Sequence, residues 1–309
     1  MKKILILSTG GTIGMTVKDG IQHTSDEGTN ALADFLRGNK DVAVEFNAIL
    51  NKDSALMTIS DWQRIIHEVA DNYDDFDGFI ILHGTDTMNE IGAVLTLALP
   101  NFGKPIVLTG SIIPAAEQGS DAGRNLADSL SLATRQGTAG VYLAFGGRVI
   151  KGGQIQKVST TEADAFRAVG GARQDKTQPK YARTKGELVV LGKFSSDVIA
   201  VCDSPSLDSK YLIALAKAGI RGLVLVTFGD GNPKVAGEAS REQSLRPAFE
   251  YFRQHNIPII ITSRISGVNA GMGTYGPSQE AKALGAVAGG HHRPEFLVVQ
   301  LSHTIGQGG

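Results

Sequence analysis

Gly78-Phe79-Ile80-Ile81-Leu82-His83-Gly84-Thr85-Asp86-Thr87-Met88-Asn89-Glu90 is the stretch on which the reading of this chain turns. It begins as an unbroken apolar run, the mark of a strand buried on both faces of a parallel sheet. The run stops at a glycine and a cluster of small polar residues. It then passes into Ile91-Gly92-Ala93-Val94-Leu95-Thr96-Leu97-Ala98, which reads as a helix. Strand, tight polar turn and helix make half of a βαβ unit. The turn falls at the carboxyl end of the strand, where sheets of this kind bind ligands. Two threonines around an aspartate are more functionality than a turn requires.

A matching turn occurs near the amino end, where Ile4-Leu5-Ile6-Leu7 runs into Ser8-Thr9-Gly10-Gly11-Thr12-Ile13-Gly14. Glycines there let the backbone turn sharply and present its amides, while Thr9 and Thr12 offer hydroxyls. Residues 18–30 have no periodicity and are expected to form a mobile loop. Ser60-Asp61-Trp62-Gln63 reads as the cap of a helix with Trp62, Ile65, Ile66, Val69 and Ala70 on one face. The alternation continues with a strand over 105–111, a helix over 121–136 and a strand over 140–145. Residues 152–185 are polar and irregular, with Lys157 close to Ser159-Thr160-Thr161.

The βα rhythm breaks at residues 183–196, the expected linker. A second rhythm follows, with strands over 198–201, 222–227 and 258–262 and helices over 210–218, 245–254 and 295–303. Strands alternating with helices imply parallel sheets joined by crossovers. The fold expected is therefore α/β with two domains. Residues 1–182 form a larger, mostly parallel sheet flanked by helices, and residues 197–309 a smaller α/β parallel-sheet domain.

At 309 residues the chain is long enough for two cores. Net charge is −1 and no Lys/Arg block occurs, so attraction to nucleic acid or a membrane surface has nothing to rest on. The single cysteine, Cys202, forbids an internal disulfide, and its apolar segment reads as that of a buried structural thiol. The run after Met1-Lys2-Lys3 is too short for a signal peptide and reads as the first strand. No apolar stretch approaches a membrane span. A cytoplasmic protein is expected.

Hydrolysis of an unactivated amide needs a nucleophile, a means of raising its reactivity and donors for the oxyanion. The chain lacks a Gly-x-Ser-x-Gly elbow and a His-Glu-x-x-His pair. It has instead two glycine-lined, hydroxyl-bearing turns: Thr12 with Gly10 and Gly11, and Thr85 with Gly84 and Asp86. Neighbouring strand ends would bring them together. Amides beside Gly11 and Thr85 would cradle a developing negative charge, and Asp86 would either hold a substrate ammonium or orient a lysine. The competing reading makes both turns phosphate nests of a nucleotide-binding fold, but neither has the Gly-x-Gly-x-x-Gly spacing or a following Walker lysine.

Thr9-Gly10-Gly11-Thr12-Ile13-Gly14 after a strand, together with His83-Gly84-Thr85-Asp86-Thr87, resembles both signature motifs of the bacterial-type L-asparaginase/glutaminase family. Asp53-Ser54 before Met57-Thr58, Thr109-Gly110-Ser111, Lys157 ahead of Thr160-Thr161 and Gly229-Asp230-Gly231-Asn232 follow in the family's order, so the similarity spans essentially the whole chain. The stretch around Asp53 and Asp61-Trp62-Gln63 is most similar to the cytoplasmic type I branch. The resemblance implies hydrolysis of L-asparagine to L-aspartate and ammonia. Thr12 would be the nucleophile that forms an aspartyl ester, and Thr85 the second catalytic threonine, bonded to Lys157 with Asp86 beside it. Ser54 and Asp86 would bind the substrate's α-carboxylate and α-ammonium, and Ser111 would lie where the amide is held; Gly11 and Gly84 line the pocket. No metal or cofactor is implied, and the family's habit is a homo-oligomer, a dimer or tetramer with sites at subunit interfaces.

Three positions depart from that pattern. The family's mobile loop supplies a tyrosine, yet no tyrosine precedes Tyr73, and Ile21, Gln22 and His23 occupy roughly that region. The hydroxyl that polarises Thr12 is therefore absent, supplied from elsewhere, or replaced by His23. Leu56 stands where an acidic or amide residue is commoner. An interface glutamate has no clear match, with Tyr275 and Glu280 nearby. His291-His292 reads as a solvated turn and His83 as a packed, hydrogen-bonded histidine, while Asn232 either contacts substrate or shapes its turn. Two alternatives compete with the hydrolase. One is the amidase component of a tRNA-dependent amidotransferase, for which an extra N-terminal module and a basic surface are expected. The other is a non-catalytic binder of asparagine or aspartate.

Overall fold

The computed structural model describes residues 1–19, 21–24, 42–169, 187–235 and 244–309. Backbone contacts divide the chain into two compact units: the first takes residues up to Ala168 and the segment ending at Gly192, the second Val169 and Lys193–Gly309.

The first unit is built on a sheet of six strands. Strand β1 (Lys2–Gly10) leads through a hairpin of β2 (Met15–Lys18) and β3 (Ile21–Thr24) towards β4 (Val42–Lys52). Helix α1 (Ile59–Asp71), β5 (Gly78–Leu82), helix α2 (Met88–Ala98), β6 (Pro105–Thr109), helix α3 (Ala122–Thr134), β7 (Gly140–Phe145) and β8 (Arg148–Lys151) follow. A two-stranded ribbon of β9 (Ile155–Lys157) and β10 (Phe166–Ala168) completes the described part. The sheet order is β4-β1-β5-β6-β7-β8, parallel throughout except where β8 runs back against β7.

Every residue of β5 and β6 is buried, as their continuous apolar runs demand. One face of the sheet presents Ile4, Ile6, Ile80, Leu82, Val107 and Tyr142 to α3, which answers with Leu126, Leu130 and Ala133. From β1 the chain crosses to β4 on one side, whereas from β5 it crosses to β6 on the other. The carboxyl ends of β1 and β5 thus mark the switch point of the sheet, the place where folds of this kind bind ligands.

The second unit carries a parallel sheet of β11 (Val198–Cys202), β12 (Gly222–Thr227), β13 (Ile259–Ser263) and β14 (Val287–Ala288), in that order. Helices α4 (Ser209–Lys217), α5 (Arg246–Gln254), α6 (Gly276–Ala283) and α7 (Pro294–Gly306) surround it. Leu223, Leu225 and Ile261 pack with Phe249 and Phe252 on one face, and Val224 with Leu297, Leu301 and Ile305 on the other. The two-domain α/β architecture read from the sequence is the one observed.

Four local expectations need correction. Helix α1 is capped by Thr58, not Ser60: the Asp61 carboxylate accepts from the Thr58 amide at 2.9 Å, the Asp61 amide donates to Thr58 Oγ1 at 3.4 Å, and Lys52 Nζ donates to Asp61 at 2.8 Å. The segment expected as a loop from residue 18 begins as the β2–β3 hairpin; residues 20 and 25–30 lie outside the described ones. Residues 152–169, expected to be irregular, contain the β9–β10 ribbon, with 170–185 outside the described residues. Cys202 is exposed, because β11 is the edge of its sheet and its burial alternates along the strand. Residues 183–186 of the expected linker also lie outside the described ones, and 187–195 have no regular structure.

Candidate active site

Glycine decides how close the turns at the switch point can come. Gly10 and Gly11 adopt φ +98° and +81°, a region that L side chains rarely enter. A Cβ on Gly11 would stand 2.4 Å from both Cα and N of Gly84, and one on Gly84 would stand 2.4 Å from Ser54 Oγ. Three segments far apart in sequence therefore meet: the ends of β1 and β5 lie backbone to backbone, and the Ser54 side chain of the turn after β4 packs on Gly84. Gly110, after β6, approaches the His83 carbonyl in the same way, with a Cβ there 2.5 Å from that oxygen. Any larger residue would push the strand ends apart.

Side chains then fix the Thr85 turn. Asp53 caps a short 3-10 turn (Ser54–Leu56) by accepting from the Ala55 amide at 2.9 Å. Ser54 is buried; its Oγ accepts from the Asp86 amide at 3.2 Å, and its carbonyl accepts from Thr87 Oγ1 at 2.9 Å. Lys157, the last residue of β9, donates from Nζ to Thr85 Oγ1 at 2.8 Å and to Asp86 Oδ1 at 2.6 Å. The Lys157 side chain keeps 14 % of its surface exposed while Asp86 keeps 59 %, so the aspartate has a face open to a ligand. A lysine nitrogen in contact with a threonine hydroxyl can take that hydroxyl's proton once it has lost one of its own.

His83 is buried, with Nδ1 at 2.8 Å from the Gly84 carbonyl and no described partner for Nε2. Burial pushes its pKa down to about 4, against a smaller opposing effect of the Gly84 carbonyl, so the ring is neutral near neutral pH. A packed, hydrogen-bonded histidine is what the sequence predicted. It braces the turn from beneath.

Thr12 opens a 3-10 turn (Thr12–Gly14) and is half-buried. No described residue hydrogen-bonds its hydroxyl, and its position is set by the backbone of Gly11 against Gly84. Ser111 is buried at the end of β6, and its hydroxyl donates to the Ile113 carbonyl at 2.7 Å. That turn is organised by Asp121, which accepts from the amides of Ile112 and Ile113 at 3.0 Å, and by Asn125, which donates to the Gly110 carbonyl at 2.9 Å. Direct contacts thus join Gly11, Ser54, Gly84, Thr85, Asp86 and Lys157. Among the described residues Thr12 is held beside them by backbone alone, and the Ser111 hydroxyl is engaged within its own turn. Asp53 and Thr87 stand in the motifs read from the sequence but without a structural role there, and Asp121 and Asn125 were missed as organisers of the site. The one available signal was the four-residue spacing of Asp121 and Asn125, which puts both on one side of the first turn of α3.

Ile21 and His23 are exposed on the hairpin, and Leu56 is exposed beside Ser54. In the second unit Asn232 closes its turn by donating its backbone N–H to the Phe228 carbonyl at 2.8 Å, with a side-chain oxygen that has no described partner. Tyr275 is exposed, and Glu280 accepts from Arg246. His292 stacks on Phe296 with ring centres 4.3 Å apart, and burial, followed by the neighbouring His291, lowers its pKa. Among the described residues no group of three or more His, Cys, Asp or Glu is placed to hold a metal ion, and no helix is long and apolar enough to cross a membrane.

A mostly parallel sheet with two threonine turns and a lysine–aspartate pair at its switch point defines a class of α/β protein, and comparison with known families places it. The N-terminal asparaginase family model matches residues 3–189, and the glutaminase/asparaginase C-terminal domain model matches residues 197–309. The chain belongs to the asparaginase family. It is 27 % identical over 325 residues to L-asparaginase 1 of Escherichia coli, covering 99 % of this chain and 92 % of that one. The solved structure of the thermostable L-asparaginase from Thermococcus kodakarensis superposes with a TM-score of 0.85 at 27 % identity, over 98 % of this chain and 93 % of that one. A component of the glutamyl-tRNA(Gln) amidotransferase of T. kodakarensis is 28 % identical over 330 residues, covering 99 % of this chain and 72 % of that protein.

Proposed function

We propose that this protein hydrolyses the side-chain amide of L-asparagine, giving L-aspartate and ammonia, with L-glutamine as a minor substrate. The observation that carries the proposal is the Lys157 nitrogen set between Thr85 Oγ1 and Asp86 Oδ1, in a turn whose glycine touches Gly11. Thr12 Oγ attacks the amide carbon as its proton passes to the Thr85–Lys157 pair, with the lysine in its neutral form, and amides beside Gly11 and Thr85 take up the charge on the oxygen. The C–N bond breaks as the nitrogen gains a proton relayed through Thr85 and Lys157, and ammonia leaves an aspartyl ester on Thr12. Water, activated by the same pair, cleaves that ester and restores Thr12. Ser54 and the open face of Asp86 bind the substrate's α-carboxylate and α-ammonium, and the turn of Ser111 holds the amide. No step calls for a metal or cofactor. We place the enzyme in the cytoplasm as a homo-oligomer.

The Thr12 hydroxyl, without a partner among the described residues, favours a second reading, a binder of asparagine or aspartate without turnover. Ammonia release from asparagine and glutamine, for wild type beside Thr12→Ala and Thr85→Ala, separates the two. Turnover that both variants lose supports the hydrolase. An inert wild type that still binds aspartate overturns it, and activity that appears only with a tRNA-loaded partner points to an amidotransferase component.

A further inference from the structure

The lysine of the site is not carried by the main sheet. It stands on the β9–β10 ribbon, which holds only three residue pairs: Ile155 with Ala168, Gln156 with Arg167 and Lys157 with Phe166. A ribbon so short has little stability of its own. What fastens it to the sheet therefore decides where the Lys157 nitrogen lies relative to Thr85.

Two fastenings lie under and before the ribbon. Phe166, directly opposite Lys157, is buried and meets Phe145 of β7 edge to face with ring centres 4.9 Å apart. Upstream, helix α2 sits on the ribbon's entry, since a Cβ at Gly92 would lie 2.5 Å from the Ile155 side chain and 2.6 Å from the Gly152 carbonyl. The third fastening is ionic and lies at the loop that closes the ribbon, where the Val158 amide donates to the Ala165 carbonyl at 2.8 Å. In that loop Asp164 is gripped by arginines from two elements. Arg148 of β8 reaches both carboxylate oxygens, with Nη2 to Oδ2 at 2.5 Å, and Arg167 of β10 places Nη1 2.6 Å from Oδ1. A two-pronged guanidinium–carboxylate pair fixes orientation as well as distance. Gly146, between β7 and β8, admits the loop closely: a Cβ there would lie 2.5 Å from the Ala163 carbonyl. The hydrogen bonds from Arg148 hold the Asp164 pKa down to about 2 against the opposing effect of burial, so the clamp is charged at any working pH.

We infer that Asp164 is a positioning residue for the reaction, tying the ribbon to β8 of the main sheet and so holding the Lys157 nitrogen on Thr85 and Asp86. It touches neither of those residues and acts through Phe166, two positions on. The inference rests on the hydrolase reading for its meaning in turnover, but not for its geometry.

The test compares the full-length wild type with Asp164→Asn and Asp164→Glu by two readouts. One is kcat and KM for ammonia release from asparagine. The other is the rate at which dilute acetic anhydride acetylates Lys157, mapped by peptide mass and normalised to exposed Lys217. Loosening the clamp should lower kcat ten- to a hundredfold with KM within about twofold, and raise Lys157 acetylation several-fold. Asp164→Glu, which keeps the charge, should restore most of both. If Asp164→Asn does not fold, Arg148→Lys, which keeps charge but loses the fork, should move both readouts the same way by less. Wild-type kcat together with wild-type acetylation in these variants overturns the inference, whatever happens to their melting temperature. An inert wild type would sink the hydrolase reading alone, since a rise in acetylation would still support the clamp and its absence would still overturn it.

Discussion

The Thr12 and Thr85 turns begin alike, as a buried strand ending in glycine and threonine, yet they are held in opposite ways. Thr85 sits in a network of side chains: Lys157 on its hydroxyl, Ser54 on the next amide, and His83 under the preceding carbonyl. Among the described residues Thr12 has none of this. Its place is set by two glycines in left-handed backbone conformations and by the closeness of Gly84. A side-chain network is rigid before substrate arrives and suits a group that moves protons. A hydroxyl positioned by backbone, with no partner among the described residues, is open to an incoming carbonyl. The contrast supports separate roles for the two threonines.

The largest effects should come from the hydroxyls themselves. Thr12→Ala should abolish ester formation, and Thr85→Ala or Lys157→Met should cut kcat by about 10²–10⁴-fold, all with modest changes in aspartate binding by calorimetry. A Thr12→Ala enzyme that keeps its kcat would reverse the division of labour.

Backbone support is the next point of attack. Gly11→Ala must enter a glycine-only conformation, φ 81° and ψ 176°, and also collide with Gly84, so it should cost about 3 kcal/mol or more. Gly119 has nearly the same φ, +79°, but nothing within 4 Å of its missing Cβ. Gly119→Ala should cost only about 1 kcal/mol. Urea unfolding of both variants would show whether close approach, rather than conformation alone, makes the first turn special.

His83 offers a pH test of the side-chain-braced turn. Its folded pKa, about 4, lies below the unfolded value of 6.5, so below pH 6.5 the unfolded chain binds the proton first. Stability contributed by the neutral ring is therefore full above pH 6.5 and declines as pH falls towards 4, by about 2–3 kcal/mol. Replacing His83 by Gln should flatten that part of the stability curve. An unchanged slope would mean that other groups carry the acid dependence.

Among the site side chains the smallest effect is expected at Ser54. Removing its hydroxyl leaves the capped turn in place but takes one bond from the Asp86 amide, and one contact from the proposed α-carboxylate site. Ser54→Ala should raise KM about tenfold, or about 1.4 kcal/mol, with kcat nearly kept. A fall in kcat instead would place Ser54 within the Thr85 network rather than with the substrate.

Much of this was legible because it depends on local pattern. The buried strands β5 and β6 follow from runs without a polar residue, and the two turns from glycine and threonine at the strand ends. Where one face is wet and the other covered by neighbours the chain does not display, pattern was misleading. The β2–β3 hairpin has no clean alternation, and Cys202 looked buried because its segment is apolar although its strand lies at an edge. The cap at Thr58 was misplaced by two residues because Ser60 offers the same hydroxyl; what selects Thr58 is Asp61 reaching back to its amide.

By itself the sequence determined the elements and the chemistry they carry: apolar runs of strand length, turns that only glycine permits, and hydroxyls, a lysine and an aspartate in the family's order. Only the tertiary structure decided which of these meet. Lys157 finds Thr85 across 72 positions because a short ribbon is clamped to a sheet, and Ser54 reaches Asp86 because Gly84 leaves room for it. Distances of that kind depend on packing among segments remote in the chain, which no local rule encodes.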